Sequence, residues 1–157
     1  MSDARMVDVG DKDVTRRRAV AHATLRCRPE TARMVGDASL PKGDAIATAR
    51  VAAVMAAKRT PDIVPLCHPL PLTFAGAEFE VDVDAGEVAI TATVETTART
   101  GVEMEALTAV TVAALTIYDM AKMVDPAMTV HDVHLVEKEG GKSGHWRAPG
   151  RDSQEPA

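Results

Sequence analysis

Asp119 and Lys122 stand three residues apart in "TIYDMAKMV", residues 116–124, directly after an apolar run that starts at Ala106. On a helix this spacing sets the two side chains about 60° apart, so they are neighbours. Two readings are open. In one, the residues are an exposed ion pair at a helix end, with Lys122 favoured by the helix dipole. In the other, they are a general acid and base in a partly dry cleft, each helping to bring the other's pKa toward neutrality. Glu103 and Glu105 open the same helix in "TGVEMEALT", where acidic residues suit the helix N-terminus. Glu105 precedes Asp119 by close to four turns, so the two carboxylates lie on nearly one side. A purely structural helix has little need of that.

His68 sits between prolines in "PLCHPL". A lone histidine is more often structural than catalytic, but a backbone fixed at both ends suits a ligand contact. Its neighbour Cys67 reads as a small buried hydrophobe rather than a nucleophile. "PKGD" and "EKEGGKSG" place Lys42, Lys138 and Lys142 beside glycines. Such loops let backbone N–H groups and ammonium groups approach phosphate oxygens. Neither has the spacing of a P-loop, and solvated loops explain each one singly. Lys58 and Arg59 suit a helix C-terminus. Arg16–Arg18 is either a solvated run or a phosphate clamp.

The elements that position these residues follow from pattern. "AVAHATLRC" reads as a strand. Pro29 and "ETARMV" indicate a short helix ended by Gly36. "DAIATARVAAVMAAKR" reads as a helix capped by Asp44 and ended by Arg59 and Pro61. "TPDIVPLCHPLPL" has too many prolines for regular helix or central strand. Ala77, Phe79, Val81 and Val83 alternate with acidic residues, "DAGE" supplies a turn, and Val88, Ile90, Ala92 and Val94 continue on the return. This is an antiparallel hairpin with one wet face. A long helix runs from Thr100 or Gly101 to about Val124, stopped by Asp125-Pro126, and "MTVHDVHLVEK" is a last strand. The order implies an α+β fold, close to the ferredoxin-like arrangement of an antiparallel sheet with helices packed on one face. One catalytic domain is expected: an arm over 1–18, a core over 19–137, a glycine-rich loop over 138–146 and a disordered tail over 147–157.

The 157 residues suit one domain, and 46% are apolar but only 3% aromatic. The core must therefore be built from small aliphatic side chains, and a subunit of this kind gains burial by oligomerising. A net charge of -5 argues against a nucleic-acid partner. Cys27 and Cys67 lack the spacing of a metal site or redox pair. The N-terminus has no apolar signal region, and the run Ala106–Tyr118 is too short to span a bilayer. A cytoplasmic protein with no membrane partner is expected.

In sequence order, "MVDV", "KGD", "ATAR", "AAKRT", "PLCHPL", "TGVEMEALTAVTVAALTIYDMAK" and "GGKSG" resemble the molybdenum cofactor biosynthesis protein C family, the cyclic pyranopterin monophosphate synthases. The resemblance covers about residues 6–146. It implies a ferredoxin-like subunit in a homohexamer, a trimer of dimers, with active sites at subunit interfaces. It implies a lyase that converts 3′,8-cyclo-7,8-dihydro-GTP, made by a radical S-adenosylmethionine enzyme, to cyclic pyranopterin monophosphate with release of pyrophosphate. Carried over to this chain, the catalytic residues are Asp119, Lys122 and Lys42. The substrate-binding residues are Leu66, Cys67, His68, Glu103, Met104, Glu105, Arg17, Lys58 and Lys138. The resemblance implies no protein-bound metal and no tightly bound cofactor, and leaves room for a divalent metal accompanying the triphosphate. His131, His134 and His145 lie outside its motifs. The rival readings are a non-catalytic nucleotide-binding regulator and an inactive scaffold. The carboxylates beside the lysines speak against the first, and Lys42, His68 and "GGKSG" against the second.

Overall fold

The computed structural model describes residues 3–150. Its elements are β1 (Thr15–Arg26), α1 (Pro29–Gly36), α2 (Ala45–Ile63), β2 (Leu72–Asp82), β3 (Glu87–Ala98), α3 (Glu103–Ala121), β4 (Thr129–Glu139) and β5 (Trp146–Arg147). The sheet has the order β2-β3-β1-β4-β5, and every pairing is antiparallel. Without the short β5 this is the expected ferredoxin-like order. Period-two alternation puts Ala19, Ala21, Ala23 and Leu25 of β1 on one face with Val88, Ile90, Ala92 and Val94 of β3. That face packs against α2 and α3 in one apolar core. The opposite face carries Arg18, His22, Glu95 and Glu137.

Several boundaries differ from expectation for identifiable reasons. β1 begins at Thr15, so the last four residues of the expected arm belong to the ladder. Arg16 and Arg18 are held there by Glu95 at 3.0 and 3.7 Å, and Arg18 also by Glu137 at 2.8 Å. Cross-strand pairs of this kind favour ladder over coil. α2 runs through Pro61 to Ile63. A proline in the last turn removes only one i to i−4 bond, and Val64 N–H still closes on Thr60 C=O at 2.9 Å. Asp44 caps α2 as expected, accepting from Ala47 N at 2.9 Å. α3 starts at Glu103, because Arg99–Val102 are used to turn from the sheet into the helix layer. β4 extends through Glu139, and Trp146 and Arg147 pair with Lys138 and Glu137, so the glycine loop is shorter than expected. Of the expected disordered tail, 151–157 lie outside the described residues.

By length and composition alone the 19-residue α3 would pass for a membrane-crossing helix, because it extends beyond the run Ala106–Tyr118 at both ends. Its buried residues, from Glu105 and Ala106 through Ala109, Val110, Ala113, Ala114 and Ile117 to Ala121, pack on the sheet and α2. That is the signature of a core helix.

The C-terminal end of α3 is tied down by Asp125, only 3% exposed. One carboxylate oxygen accepts from Arg28 N at 2.9 Å and from Thr31 Oγ1 at 2.9 Å. The Arg28 guanidinium donates to Val124 C=O. Asp125→Ala would leave a buried hydroxyl and a backbone amide unmatched. It should cost about 2–4 kcal/mol of stability, read from urea unfolding; a loss within experimental scatter would remove Asp125 as the anchor of this end.

Candidate active site

Three candidate residues meet at the C-terminal end of α3. Asp119 lies in the last turn and Lys122 is the C-cap. Lys42 comes from the tight turn between α1 and α2, where Gly43, at φ +97, closes on Leu40 C=O at 2.9 Å. Only glycine adopts that backbone without strain. Lys122 Nζ lies 2.8 Å from Asp119 Oδ1. Lys42 Nζ lies 2.8 Å from Asp119 Oδ2 and 3.3 Å from the Asp119 carbonyl. Each carboxylate oxygen thus has its own ammonium. Lys42 also meets a carbonyl of the helix end, where positive charge is favoured.

The electrostatics correct one expectation. The side chains of Asp119, Lys122 and Lys42 are 55%, 51% and 41% exposed, so within this chain they occupy an open edge rather than a dry cleft. The hydrogen bond from Lys122, then that from Lys42, holds the Asp119 carboxyl down to about 2. Asp119 in turn pushes Lys122 up. Opposite charges in direct contact favour both charged forms, so the pair is driven apart in pKa rather than toward neutrality.

A second group gathers at the N-terminal end of α3. Lys138 Nζ is 3.1 Å from Glu103 Oε1. Arg17, Glu103, Lys138, Gly140 and Ser143 line a small open pocket there. Arg17 and Arg18 both line this pocket, and Arg18 is also engaged with Glu95 and Glu137, as Arg16 is with Glu95. Glu105 is buried, at 2% exposure. Its Oε1 accepts from Cys67 Sγ at 3.5 Å, and its Oε2 has no partner. Burial pushes its carboxyl up. Burial, then the negative charge of Glu105, pushes the Cys67 thiol up to about 11, which suits the expectation that it is no nucleophile. His68 is half-buried, Leu66 and Met104 are exposed, and Lys58 is exposed on α2 without a partner among the described residues. The shared side of α3 therefore ends in two unlike carboxylates, one sealed and one wet. From Glu103 to Asp119 the helix rises about 24 Å, at 1.5 Å per residue.

Sequence reading missed a third cluster on the outer sheet face. Glu137 accepts from Arg18 at 2.8 Å, from His145 at 3.0 Å and from Arg147 at 3.3 Å. The hydrogen bond from Arg18, then that from His145, holds its carboxyl down to about 2. Among the described residues, Glu137, Glu139 and His145 are the group whose atoms lie close enough to hold a metal ion. Two arginines already neutralise Glu137 without one. Alternation along β4 puts Glu137 and Glu139 on one face, but the ladder register that adds Arg18 is invisible locally.

Asp119 should remain ionised in carboxyl-carbon NMR titrations down to about pH 2. In Lys122→Met its midpoint should rise toward the ordinary aspartate value, and in Lys42→Met by less. Stability from these contacts should be present above the unfolded-state pKa and be lost as pH falls toward 2. A midpoint indifferent to both lysines would dissolve the triad.

The MoaC family model matches residues 6–141, a stretch that contains both ends of α3. A cyclic pyranopterin monophosphate synthase of Roseiflexus sp. is 57% identical over 143 residues, 91% of this chain and 90% of its own length. The synthase of that name from Chloroflexus aurantiacus is 54% identical over 146 residues, 93% of this chain and 90% of its own. One from Dinoroseobacter shibae is 55% identical over 145 residues, 92% of each. With its ferredoxin-like sheet and its lysine–carboxylate clusters inside the matched stretch, this chain belongs to the MoaC family.

Proposed function

We propose that the chain is a cyclic pyranopterin monophosphate synthase of molybdenum cofactor biosynthesis. It converts 3′,8-cyclo-7,8-dihydro-GTP to cyclic pyranopterin monophosphate and pyrophosphate, as a phosphorus–oxygen lyase. The observation that carries this reading is identity above 50% to synthases of that name, along a stretch that includes Asp119 between its two lysines. A substrate hydroxyl gives its proton to a base of the site as its oxygen attacks the α-phosphorus, the bond from that phosphorus to the oxygen bridging to the β-phosphate breaks, and pyrophosphate departs with the bridging oxygen. Ammonium groups neutralise the charge that builds on the leaving group. Rearrangement of the purine-derived rings to a pterin needs protons moved at several atoms. Asp119, Lys122 and Lys42 are assigned that work, with Arg17, Lys58, Lys138, Leu66, Cys67, His68, Glu103, Met104 and Glu105 binding substrate. No tightly bound cofactor enters this reading, and a divalent ion would arrive with the triphosphate.

The two polar ends of α3 are too far apart for one small molecule to touch both within one chain. We therefore read the site as composite, completed by a second copy. If two chains pack with their α3 helices antiparallel, the Asp119 end of one meets the Glu103 end of the other, twice, by two-fold symmetry. Exposed Val51, Met55, Met104 and Leu115, at 40–60%, give the helix layer apolar surface to bury. A homohexamer in the cytoplasm, supplied by a radical S-adenosylmethionine enzyme, extends this reading.

The direct test supplies the cyclised dihydro-GTP and follows pyrophosphate and pterin product. Asp119→Asn and Lys122→Met should each lose about a thousandfold in turnover, and the double variant far less than the product of the two. Light scattering should give a multiple of 16.6 kDa. Co-expressed Lys122→Met and Lys138→Met chains, each nearly inactive alone, should regain activity together, because one site of each mixed pair is intact. Failure to complement would confine the site to a single chain.

A further inference from the structure

The "GGKSG" loop and Arg17 fit together through a missing side chain. Gly141, at φ +73, lies directly against the Arg17 guanidinium. A Cβ there would sit 2.7 Å from Arg17 Cζ and 3.0 Å from Nη2, and would collide outright with Nη1. Arg17 also donates from Nη2 to Arg99 C=O at 3.4 Å, and its Nε is buried with no partner. The guanidinium is thus seated between the loop and the end of β3, lining the pocket with Glu103, Lys138 and Ser143. The loop is closed on itself, by Gly140 N to Gly144 C=O and Gly144 N to Gly141 C=O, both at 3.2 Å.

We propose that Gly141 is a positioning residue: its bare Cα gives the Arg17 guanidinium its seat, so that loop and arginine form one cradle for substrate phosphate groups. This rests on the reading of Arg17 and Lys138 as phosphate-binding residues. A planar guanidinium recognises phosphate through paired, directed donors, so its orientation matters as much as its charge. Any side chain at Gly141 would turn it. The left-handed backbone already favours glycine at this position, and the contact with Arg17 is a second, separate demand on it.

Gly144 separates the two explanations. It is also left-handed, at φ +60, but a Cβ there meets nothing within 4 Å. Gly144→Ala therefore carries the backbone strain of Gly141→Ala without the collision. Gly140→Ala is unsuitable, since its Cβ would strike the Arg16 carbonyl. The full chain is compared as parent, Gly141→Ala, Gly144→Ala, Arg17→Ala and Gly141→Ala/Arg17→Ala. Arginine-selective 15N NMR reads the Arg17 Nε–H in the free protein, and calorimetry reads binding of inorganic pyrophosphate. The Nε–H signal should move in Gly141→Ala and stay in Gly144→Ala. Pyrophosphate should bind roughly tenfold more weakly to Gly141→Ala and to Arg17→Ala, with no further loss in the double variant. Equal effects of Gly141→Ala and Gly144→Ala, or a full additional loss in the double variant, would overturn the proposal. A parent chain that does not bind pyrophosphate would sink the phosphate reading and the cradle's ligand with it, while the Nε–H result would still report the packing alone.

Discussion

Close packing of α3 through alanine-sized side chains sets the position of the polar groups at its two ends. Ala106, Ala109, Ala113, Ala114 and Ala121 are almost fully buried, and so are Ala45, Ala49, Ala53 and Ala57 of α2 and Ala19, Ala21 and Ala23 of β1. Small side chains lose little rotamer freedom on burial and let elements approach closely. They also leave no slack: an added methylene meets backbone rather than a movable neighbour. α3 is therefore a rod with a fixed seat, without proline or glycine between Glu103 and Ala121. Its length dictates that the Lys42–Asp119–Lys122 group and the Arg17–Glu103–Lys138 group stay apart.

Charge is organised around that rod. The chain is acidic overall, at -5, yet cations outnumber carboxylates at each end of α3: Lys42 and Lys122 against Asp119, and Arg17, Arg18 and Lys138 against Glu103 and Glu139. Local potential, not net charge, governs what approaches a site. Three glutamates of the sheet are paired: Glu95 and Glu137 with Arg16, Arg18 and Arg147, and Glu87 with Arg26 at 2.8 Å. Asp125 is taken up by Arg28 and Thr31. The cations at the ends of α3 are left with capacity for an anionic ligand, and Glu105 is sealed where burial favours its neutral form.

Much of this was legible from local pattern. The alternation from Ala77 to Val83 and back from Val88 to Val94 is the β2–β3 hairpin, and the element order led to the ferredoxin-like arrangement of the sheet. The pairing of Asp119 with Lys122 follows from helical spacing. The failures have a common cause. Pro61 reads as a stop because local rules cannot see how near the helix already is to its end. Arg16–Arg18 reads as a coil-like run because the glutamates that order it are distant in sequence, Glu95 and Glu137. Lys42 on Asp119, Lys138 on Glu103 and Arg17 against Gly141 are likewise contacts made by topology. Motif resemblance reached those residues as a list; it held no information on which end of α3 each one joins.

The open edge around Asp119 links assembly to chemistry on the composite-site reading. A carboxyl held near 2 is a poor proton acceptor at neutral pH, and a lysine raised by its partner is a poor donor. Further pairing would only widen that gap. Removal of water acts in the opposite sense on both groups: it raises a carboxylate and lowers an ammonium, because each loses its hydration. Among the described residues of one chain nothing supplies that cover, since Leu115 and Met123 near Asp119 are themselves 54% and 73% exposed. The apolar surface of a second copy would bury these side chains and dry the triad in the same step. The association that is favourable for hydrophobic reasons would then also move Asp119 and Lys122 toward the range in which they exchange protons. On this reading an isolated chain, correctly folded and with every named residue in place, is poised for structure and not for turnover.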